Sequence, residues 1–337
     1  MPTWGEILVE IRERASQGDK APFDYVRRKY LAELHKYTSR NTILYATNWT
    51  DPRGFPPAFV SIGEDDVQAL MGVFKDLPSG GLDLILHSPG GSAETTEAVV
   101  SYVRSKFSDL RVIIPYAAMS AATMLACSAQ KIVMGKHSFL GPIDPQMLIA
   151  DQYGNTKAVP AQAILDQFEK AKQECLDPRV LGVWAPILPQ YGPALLIESS
   201  EALGLSKELV AKWLEKYMFA GQGDAKQKAD AAAASLADHT TFKTHGRHID
   251  RSQARGFGLI IEDLETDQKF QDLVLSVFHS MTHTFTSTTA VKIVENHLGR
   301  AFLVQAGLFV QQPPTPSPAP PEQAKPTPSA TPQAKGE

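Results

Sequence analysis

The chain has few cysteines and little net charge, and both absences exclude classes of protein. Its 337 residues include two cysteines, Cys127 and Cys175, which cannot form a disulfide framework in a chain of this size and fit a reducing compartment. The formal net charge of −4 provides no global field to draw the chain to nucleic acid, so no nucleic-acid partner is expected. Hydrophobic residues at 43% and charged residues at 21% exclude wholesale disorder, collagen and coiled coil.

Long hydrophobic runs are also missing. No window reaches about 18 uninterrupted apolar residues, so the sequence predicts no transmembrane helix. The N-terminal stretch MPTWGEILVEIRERASQG has charges every few residues and no apolar run of signal-peptide length, so we expect no signal peptide and a cytoplasmic location. The basic cluster Arg27, Arg28 and Lys29 leaves peripheral contact with lipid head groups open.

Composition and periodicity divide the chain into four segments. Residues 1–40 show the spacing of amphipathic helices, and residues 41–265 form the predicted core. Residues 266–311 are predicted as C-terminal helices. Residues 312–337 contain nine of the 24 prolines and no large apolar side chain, so this Pro/Ala-rich tail is predicted to be disordered, with a PxxP docking ligand as the alternative.

The core segment predicts an α/β fold with a parallel sheet. Three apolar runs, LDLILH (82–87), RVIIPY (111–116) and KIVMG (131–135), have helical patterns between them, at 94–106 and 120–129. Strands that are apolar throughout and alternate with helices are typical of a parallel sheet covered on both faces. Ligands of such sheets bind where the strands end, so the residues that follow these strands are the candidate site.

A diglycine turn, Ser88-Pro89-Gly90-Gly91-Ser92, follows the first of these strands. Paired glycines allow the backbone to approach a ligand closely, and amide groups before a helix can bind an anion or an oxyanion. The sequence has neither the GxGxxG pattern of a dinucleotide site nor the GK[ST] of a P-loop here. Taken alone, the motif also fits a plain tight turn.

Ser120 lies between an apolar strand and a helix of small residues, in the sequence YAAMSAAT. Such a turn lifts a hydroxyl to the edge of the sheet, as in the GxSxG elbow of α/β-hydrolases, although those glycines are missing here. The amide of Ala121 would then face a developing oxyanion. The alternative for Ser120 is a helix N-cap. Because the two turns follow neighbouring strands, together they predict a nucleophile beside oxyanion donors.

These motifs resemble the ClpP/crotonase superfamily and, within it, the serine dehydrogenase proteinase family, near the signal peptide peptidase SppA. The resemblance rests on the SPGG turn, the segment MSAAT and the segment LGPIDPQ, and it covers about residues 40–262. It implies a ClpP/crotonase-like fold, in which β-β-α units build the parallel sheet, with extra helices at both ends of the chain. It also implies a serine peptidase whose site residues follow the order Ser, Asp, His.

Carried over by motif, the resemblance implies that Ser120 is the nucleophile, Asp144 the orienting acid and His245 the general base. Gly90, Gly91 and Ala121 would then supply the oxyanion hole. A hydroxyl attacks well only when a base takes its proton, and a carboxylate fixes the tautomer of an imidazole base.

Three other residues could serve as the base. His248 lies near His245 in the sequence. In SppA the base is a lysine about 40–50 residues after the serine, and Lys170 and Lys172 fall in that window, where burial could lower a lysine pKa enough for this role. His279 and His283 have a spacing that can hold zinc, but the glutamate of an HExxH motif is missing, so no metal or other cofactor is predicted.

Three functions are compatible with these residues. The first is hydrolysis of a polypeptide substrate through an acyl-enzyme on Ser120, with the substrate bound along a strand edge. The alternatives are a crotonase-like acyl-CoA enzyme, which would need no serine nucleophile, and an inactive scaffold or partner-binding protein. The superfamily builds rings or stacked trimers, so the resemblance also implies a homo-oligomer.

Overall fold

The computed structural model describes residues 3–51, 54–150 and 155–306, and the predicted tail at 312–337 lies outside them. Within this part of the chain, the helices are α1 (Trp4–Ser16), α2 (Pro22–Thr38), α3 (Pro57–Val60), α4 (Asp65–Val73), α5 (Ala93–Lys106), α6 (Ala121–Cys127), α7 (Ala161–Glu174), α8 (Leu181–Trp184), α9 (Leu195–Trp213), α10 (Ala225–Leu236), α11 (His239–Phe242), α12 (Arg251–Gly256) and α13 (Gln268–Ser287). The strands are β1 (Asn41–Thr47), β2 (Gly81–His87), β3 (Asp109–Ile114), β4 (Ala117–Ala118), β5 (Lys131–Met134), β6 (Phe139–Leu140), β7 (Gln146–Ala150), β8 (Thr156–Pro160), β9 (Ile249–Asp250), β10 (Ile261–Asp263), β11 (Ala290–Asn296) and β12 (Ala301–Gln305).

The main sheet has seven strands in the order β10-β5-β3-β2-β1-β11-β12. The five strands from β10 to β1 are parallel, whereas β11 and β12 join antiparallel at the edge beside β1. In the register of the centre, Leu84 of β2 lies opposite Ile43 of β1 and Val112 of β3. The predicted α/β class with a mostly parallel sheet is therefore confirmed.

Both faces of the sheet are covered, because successive strand residues point to opposite sides. Leu84 and Leu86 of β2 pack in a core with α4, α5 and α6, and Ile85 between them packs in a second core with α1, α2 and α13. This double burial explains why the central strands are apolar throughout. None of the described helices is both long enough and apolar enough to cross a bilayer.

A small second sheet, in the order β4-β6-β9, places the candidate site. β4 and β6 run parallel, and β9 runs antiparallel to β6. Ser120 follows β4, Asp144 follows β6 and His245 precedes β9. The ends of the parallel strands β4 and β6 lie beside the start of the antiparallel strand β9. All three segments therefore reach the same end of this sheet.

The C-terminal segment differs from its prediction as helices over 266–311. α13 is followed by β11 and β12, which belong to the main sheet. The sequence did not predict β11 because it contains the charged residues Lys292 and Glu295. Both are buried against opposite charges, Asp66 and Arg27. The β7–β8 hairpin lies outside the main sheet. Its strands are largely exposed, so they lack the apolar pattern of core strands.

Candidate active site

Ser120 connects β4 to α6 in a backbone conformation that side chains other than glycine rarely adopt. Its φ is 52° and its ψ is −123°. Such a conformation costs about 1–3 kcal/mol and persists only where the surroundings enforce it. The Ser120 side chain makes no capping hydrogen bond to α6, and the residue is partly exposed. The turn therefore has the geometry of a nucleophile elbow rather than that of an N-cap.

The diglycine turn lies directly against this elbow. Gly90 has a φ of 99°, and a Cβ atom there would lie 2.7 Å from the amide nitrogen of Ala121 and 2.7 Å from Cβ of Ser120. Only glycine allows this approach. Two backbone hydrogen bonds join the segments before the two turns: Met119 donates to the Ser88 carbonyl at 2.9 Å, and Ser88 donates to the Ala117 carbonyl at 3.2 Å.

The other side of the turn is fixed by Ile62. Its amide donates to the Gly90 carbonyl at 2.7 Å, and its carbonyl accepts from the amide of Ser92 at 3.2 Å. A Cβ atom on Gly91 would lie 2.3 Å from the Ile62 carbonyl oxygen, so this position also requires glycine. The turn is thus held between Ile62 and the serine elbow.

The amides of this turn differ in what they already bind. The Gly90 amide donates to the Ser88 hydroxyl at 3.2 Å, so this bond competes with an incoming oxyanion. Ala121 is the first residue of α6, where a helix leaves its amides without internal partners. Of these two predicted donors, the Ala121 amide is therefore the better placed.

His245 and Asp144 form a hydrogen-bonded pair. Nδ1 of His245 lies 2.8 Å from Oδ1 of Asp144, whose side chain is fully buried. A carboxylate can only accept, so Nδ1 carries the proton and Nε2 is left as the basic nitrogen. This is the tautomer that a general base needs.

Asp144 has a second histidine partner that the sequence did not reveal. Nδ1 of His239 lies 3.0 Å from Oδ2 of Asp144. The available signal was the run DHTTFKTHGRH, which contains His239, His245 and His248. Spacing alone could not indicate which of the three reaches a residue about a hundred positions earlier.

A single cleft of about 940 Å³ contains both turns and the histidine. Its lining includes Gly90, Gly91, Ser120, Ala121 and His245. Asp144 stands behind His245, and its chain neighbours Ile143 and Pro145 also line the cleft. Further walls come from the β7–β8 hairpin (Met147, Leu148, Ala158) and from α9 (Glu198, Glu201, Ala202, Leu205, Ser206).

Residues 55–185 match the family model described as a ClpP-like SDH-type serine proteinase. The predicted resemblance to the serine dehydrogenase proteinase family is therefore confirmed. The matched range contains the diglycine turn, Ser120 and Asp144, and His245 lies beyond it. The mostly parallel sheet with helices on both faces is consistent with the ClpP-like fold of this serine proteinase family.

Two uncharacterized proteins of Methanocaldococcus jannaschii are similar to this chain. One is 33% identical over 125 residues, which are 36% of this chain and 40% of that protein. The other is 32% identical over 121 residues, 35% of this chain and 37% of that protein. The chain thus spans at most 40% of the length of these relatives.

Among solved structures, a mutant of a membrane-bound stomatin-specific protease in complex with a substrate peptide is also similar. It matches 63% of this chain and 89% of its own chain at 16% identity, with a TM-score of 0.22. A TM-score this low supports no comparison of the two sites.

The alternative bases lie away from the cleft. Lys170 is 3.7 Å from Glu174, and Lys172 is 2.9 Å from Glu169; all four side chains are exposed. Neither lysine is buried, and neither lines the cleft. The ring of His248 stacks on Phe139 with the centroids 4.5 Å apart. The structure does not bring these three residues to the lining of the cleft.

His87, His279 and His283 are not among the residues that line the cleft. His283 of the predicted zinc spacing has its Nε2 within 2.8 Å of the Trp4 carbonyl oxygen. Within the described ranges, no group of three or more His, Cys, Asp or Glu side chains is placed to hold a metal ion.

His87, which ends β2 just before the diglycine turn, is buried, and burial lowers its pKa to about 4. Its Nδ1 lies 3.1 Å from the Ala117 carbonyl oxygen.

Proposed function

We propose that the chain is a serine endopeptidase that cleaves polypeptides through an acyl-enzyme on Ser120. The observation that supports this most strongly is the contact between the diglycine turn and the strained serine elbow, in the cleft that His245 also lines. The match to a serine proteinase family points to the same chemistry.

In the first half of the reaction, Ser120 Oγ attacks the carbonyl carbon of the scissile bond while Nε2 of His245 takes the hydroxyl proton. The carbonyl oxygen becomes an oxyanion, which the amide of Ala121 and those of the diglycine turn stabilise. The removal of one such donor typically raises the barrier by about 2.7–4 kcal/mol. Asp144 stays ionised and stabilises the imidazolium that forms.

The intermediate then collapses. The imidazolium gives its proton to the nitrogen of the leaving amine, the carbon–nitrogen bond breaks, and the acyl group remains on Ser120 as an ester. Water repeats the sequence: His245 takes a proton from the water while its oxygen adds to the ester carbon. The imidazolium then returns the proton to Ser120 Oγ as the bond between Oγ and the acyl carbon breaks and the acid product leaves.

The β7–β8 hairpin favours a polypeptide as the substrate. Leu148 of β7 lines the cleft and is 75% exposed. Within the described residues, β7 pairs with β8 alone, so its other edge offers free backbone donors and acceptors. An extended peptide can add to such an edge as a further strand, with apolar side chains packing on Leu148.

The acyl-CoA alternative makes less use of this site. An enzyme that only stabilises an enolate needs the amide donors, but it needs neither a serine in a strained turn nor the His245–Asp144 pair. The inactive-scaffold alternative makes no use of either feature. We also expect the homo-oligomer and the cytoplasmic location predicted from the sequence. Sedimentation of the intact protein would measure the first, and fractionation of cells that contain it would measure the second.

The deciding experiment follows hydrolysis of casein and of a mixture of fluorogenic peptides by the intact chain. We expect turnover by the wild type and none by Ser120→Ala, with His245→Ala lowered by about three orders of magnitude or more. Lys170→Ala and Lys172→Ala are matched controls and should keep full turnover. Turnover of an acyl-CoA thioester that survives Ser120→Ala, without peptide hydrolysis, would instead support the crotonase-like function.

A further inference from the structure

We propose that His239 is a positioning residue that fixes the Asp144 carboxylate in the orientation His245 requires. This proposal rests on the proposed function, because it assigns His239 a part in the same Ser120 reaction. His239 is not among the residues that line the cleft, so it would act only through Asp144.

The Asp144 carboxylate has one imidazole on each oxygen. Oδ1 accepts from Nδ1 of His245 at 2.8 Å, and Oδ2 accepts from Nδ1 of His239 at 3.0 Å. The carboxylate is fully buried, whereas the side chains of His239 and His245 are 13% and 19% exposed. Water therefore has little access to take the place of either ring.

A second donor matters because a carboxylate turns easily. The last torsion of an aspartate joins an sp³ to an sp² carbon and has a broad, roughly two-fold profile. With a single hydrogen bond, Asp144 could rotate and exchange its two oxygens, and the ring of His245 would follow. A donor on the second oxygen restricts that rotation and also satisfies a buried acceptor that would be costly to leave unpaired.

The local structure holds His239 in place. Asp238 caps the short helix α11 by accepting from the amide of Thr240 at 3.0 Å, and Phe242 at its end is buried. The segment before Asp144 is tied to the same region, since the Ile143 amide donates to the Leu236 carbonyl at 3.0 Å. The chain thus fixes His239 relative to Asp144 independently of His245.

Two variants of equal branching separate the hydrogen bond from packing. His239→Asn keeps an N–H donor near the place of Nδ1, whereas His239→Leu has the same branch point and no donor. We expect His239→Leu to lower kcat by about 10- to 100-fold with an unchanged KM, as for the loss of a hydrogen bond to a charged group, and His239→Asn to restore most of it. The rate of Ser120 labelling by a fluorophosphonate probe should change in the same way.

Controls show whether His239 acts through Asp144. In an Asp144→Ala background, His239→Leu should have no further effect, because the group it positions is gone. His248→Leu removes a nearby histidine that stacks on Phe139. In this variant the fluorophosphonate should label Ser120 at the wild-type rate. Circular dichroism and thermal melts establish that each variant is folded, and His239→Ala replaces the leucine variant if the latter does not fold.

Several results would overturn the proposal. Labelling of His239→Leu at the wild-type rate, equal losses in the Asn and Leu variants, or a further loss in the Asp144→Ala background would each do so. If the wild type labels and His245→Ala does not, such a result defeats the role of His239 alone. A wild type that is not labelled at Ser120 defeats the proposed function and this role with it.

Discussion

Replacement of Gly90 by alanine adds one carbon where the diglycine turn meets the serine elbow. That carbon would lie 2.6 Å from the Met119 carbonyl oxygen, 2.7 Å from the Ala121 nitrogen and 2.7 Å from Cβ of Ser120. These atoms belong to the backbone or stand next to it, so none can swing aside as the end of a long side chain would. The two turns must therefore separate, and the oxyanion donors move with them.

The cost in stability has two parts. A φ of 99° is unfavourable for alanine by about 1–2 kcal/mol. The collision with fixed atoms adds an overpacking cost of about 1–3 kcal/mol. We expect the free energy of unfolding to fall by about 2–5 kcal/mol in Gly90→Ala. Gly258 is a matched control: its φ is 92°, but a Cβ atom there would have no neighbour within 4 Å.

Urea unfolding and fluorophosphonate labelling measure the two consequences. Gly258→Ala should lose only the backbone part, about 1–2 kcal/mol, and should label at the wild-type rate. Gly90→Ala should lose more stability and should label about 100-fold more slowly or worse, as when an oxyanion donor is displaced. Equal stability of the two variants, or full labelling of Gly90→Ala, would show that the close contact of the turns is wrong.

Three further results are expected. Burial lowers the pKa of His87 to about 4, so between pH 6.5 and 4 the unfolded chain binds a proton that the folded chain does not. The free energy of unfolding, measured with urea, should therefore fall over that window by up to about 3 kcal/mol more in the wild type than in His87→Leu. A fall of the same size in both proteins would argue against this. Lys292→Met leaves Asp66 buried without its cation and should lower the free energy of unfolding in urea by about 3–5 kcal/mol. Lys170 is exposed, so Lys170→Met should lower it by less than about 1 kcal/mol. Similar losses in the two variants would contradict the buried ion pair. Ser120→Gly should be more stable than Ser120→Ala by about 1 kcal/mol, since glycine relieves the strained turn at some cost in unfolded-state entropy; equal melting temperatures would mean that the turn is not strained.

The sequence indicated the diglycine turn and the serine elbow, because each is formed by a short continuous stretch of backbone. Gly90 and Ser120 come shortly after apolar strands, and neighbouring parallel strands bring such residues to one end of the sheet, so their approach could be predicted. The close fit between them depends on glycine at one position and small residues at the other, and both are visible in the sequence.

Side-chain partners far apart in the chain were harder to predict. His239 and Asp144 are separated by 95 residues, and the small sheet that aligns their segments has strands of two residues, which leave no periodic signal. β11 was missed for a related reason. Its Lys292 and Glu295 look like surface charges until their buried partners on distant elements are known.

The most direct test of the account is to trap the nucleophile and find it. The intact chain is treated with a fluorophosphonate, digested, and the modified residue located by mass spectrometry, in the wild type and in His245→Ala. We predict a single phosphonate adduct on Ser120 that forms far more slowly without His245. An adduct on another residue, no adduct, or an unchanged rate in His245→Ala would contradict a serine activated by His245 beside the diglycine turn.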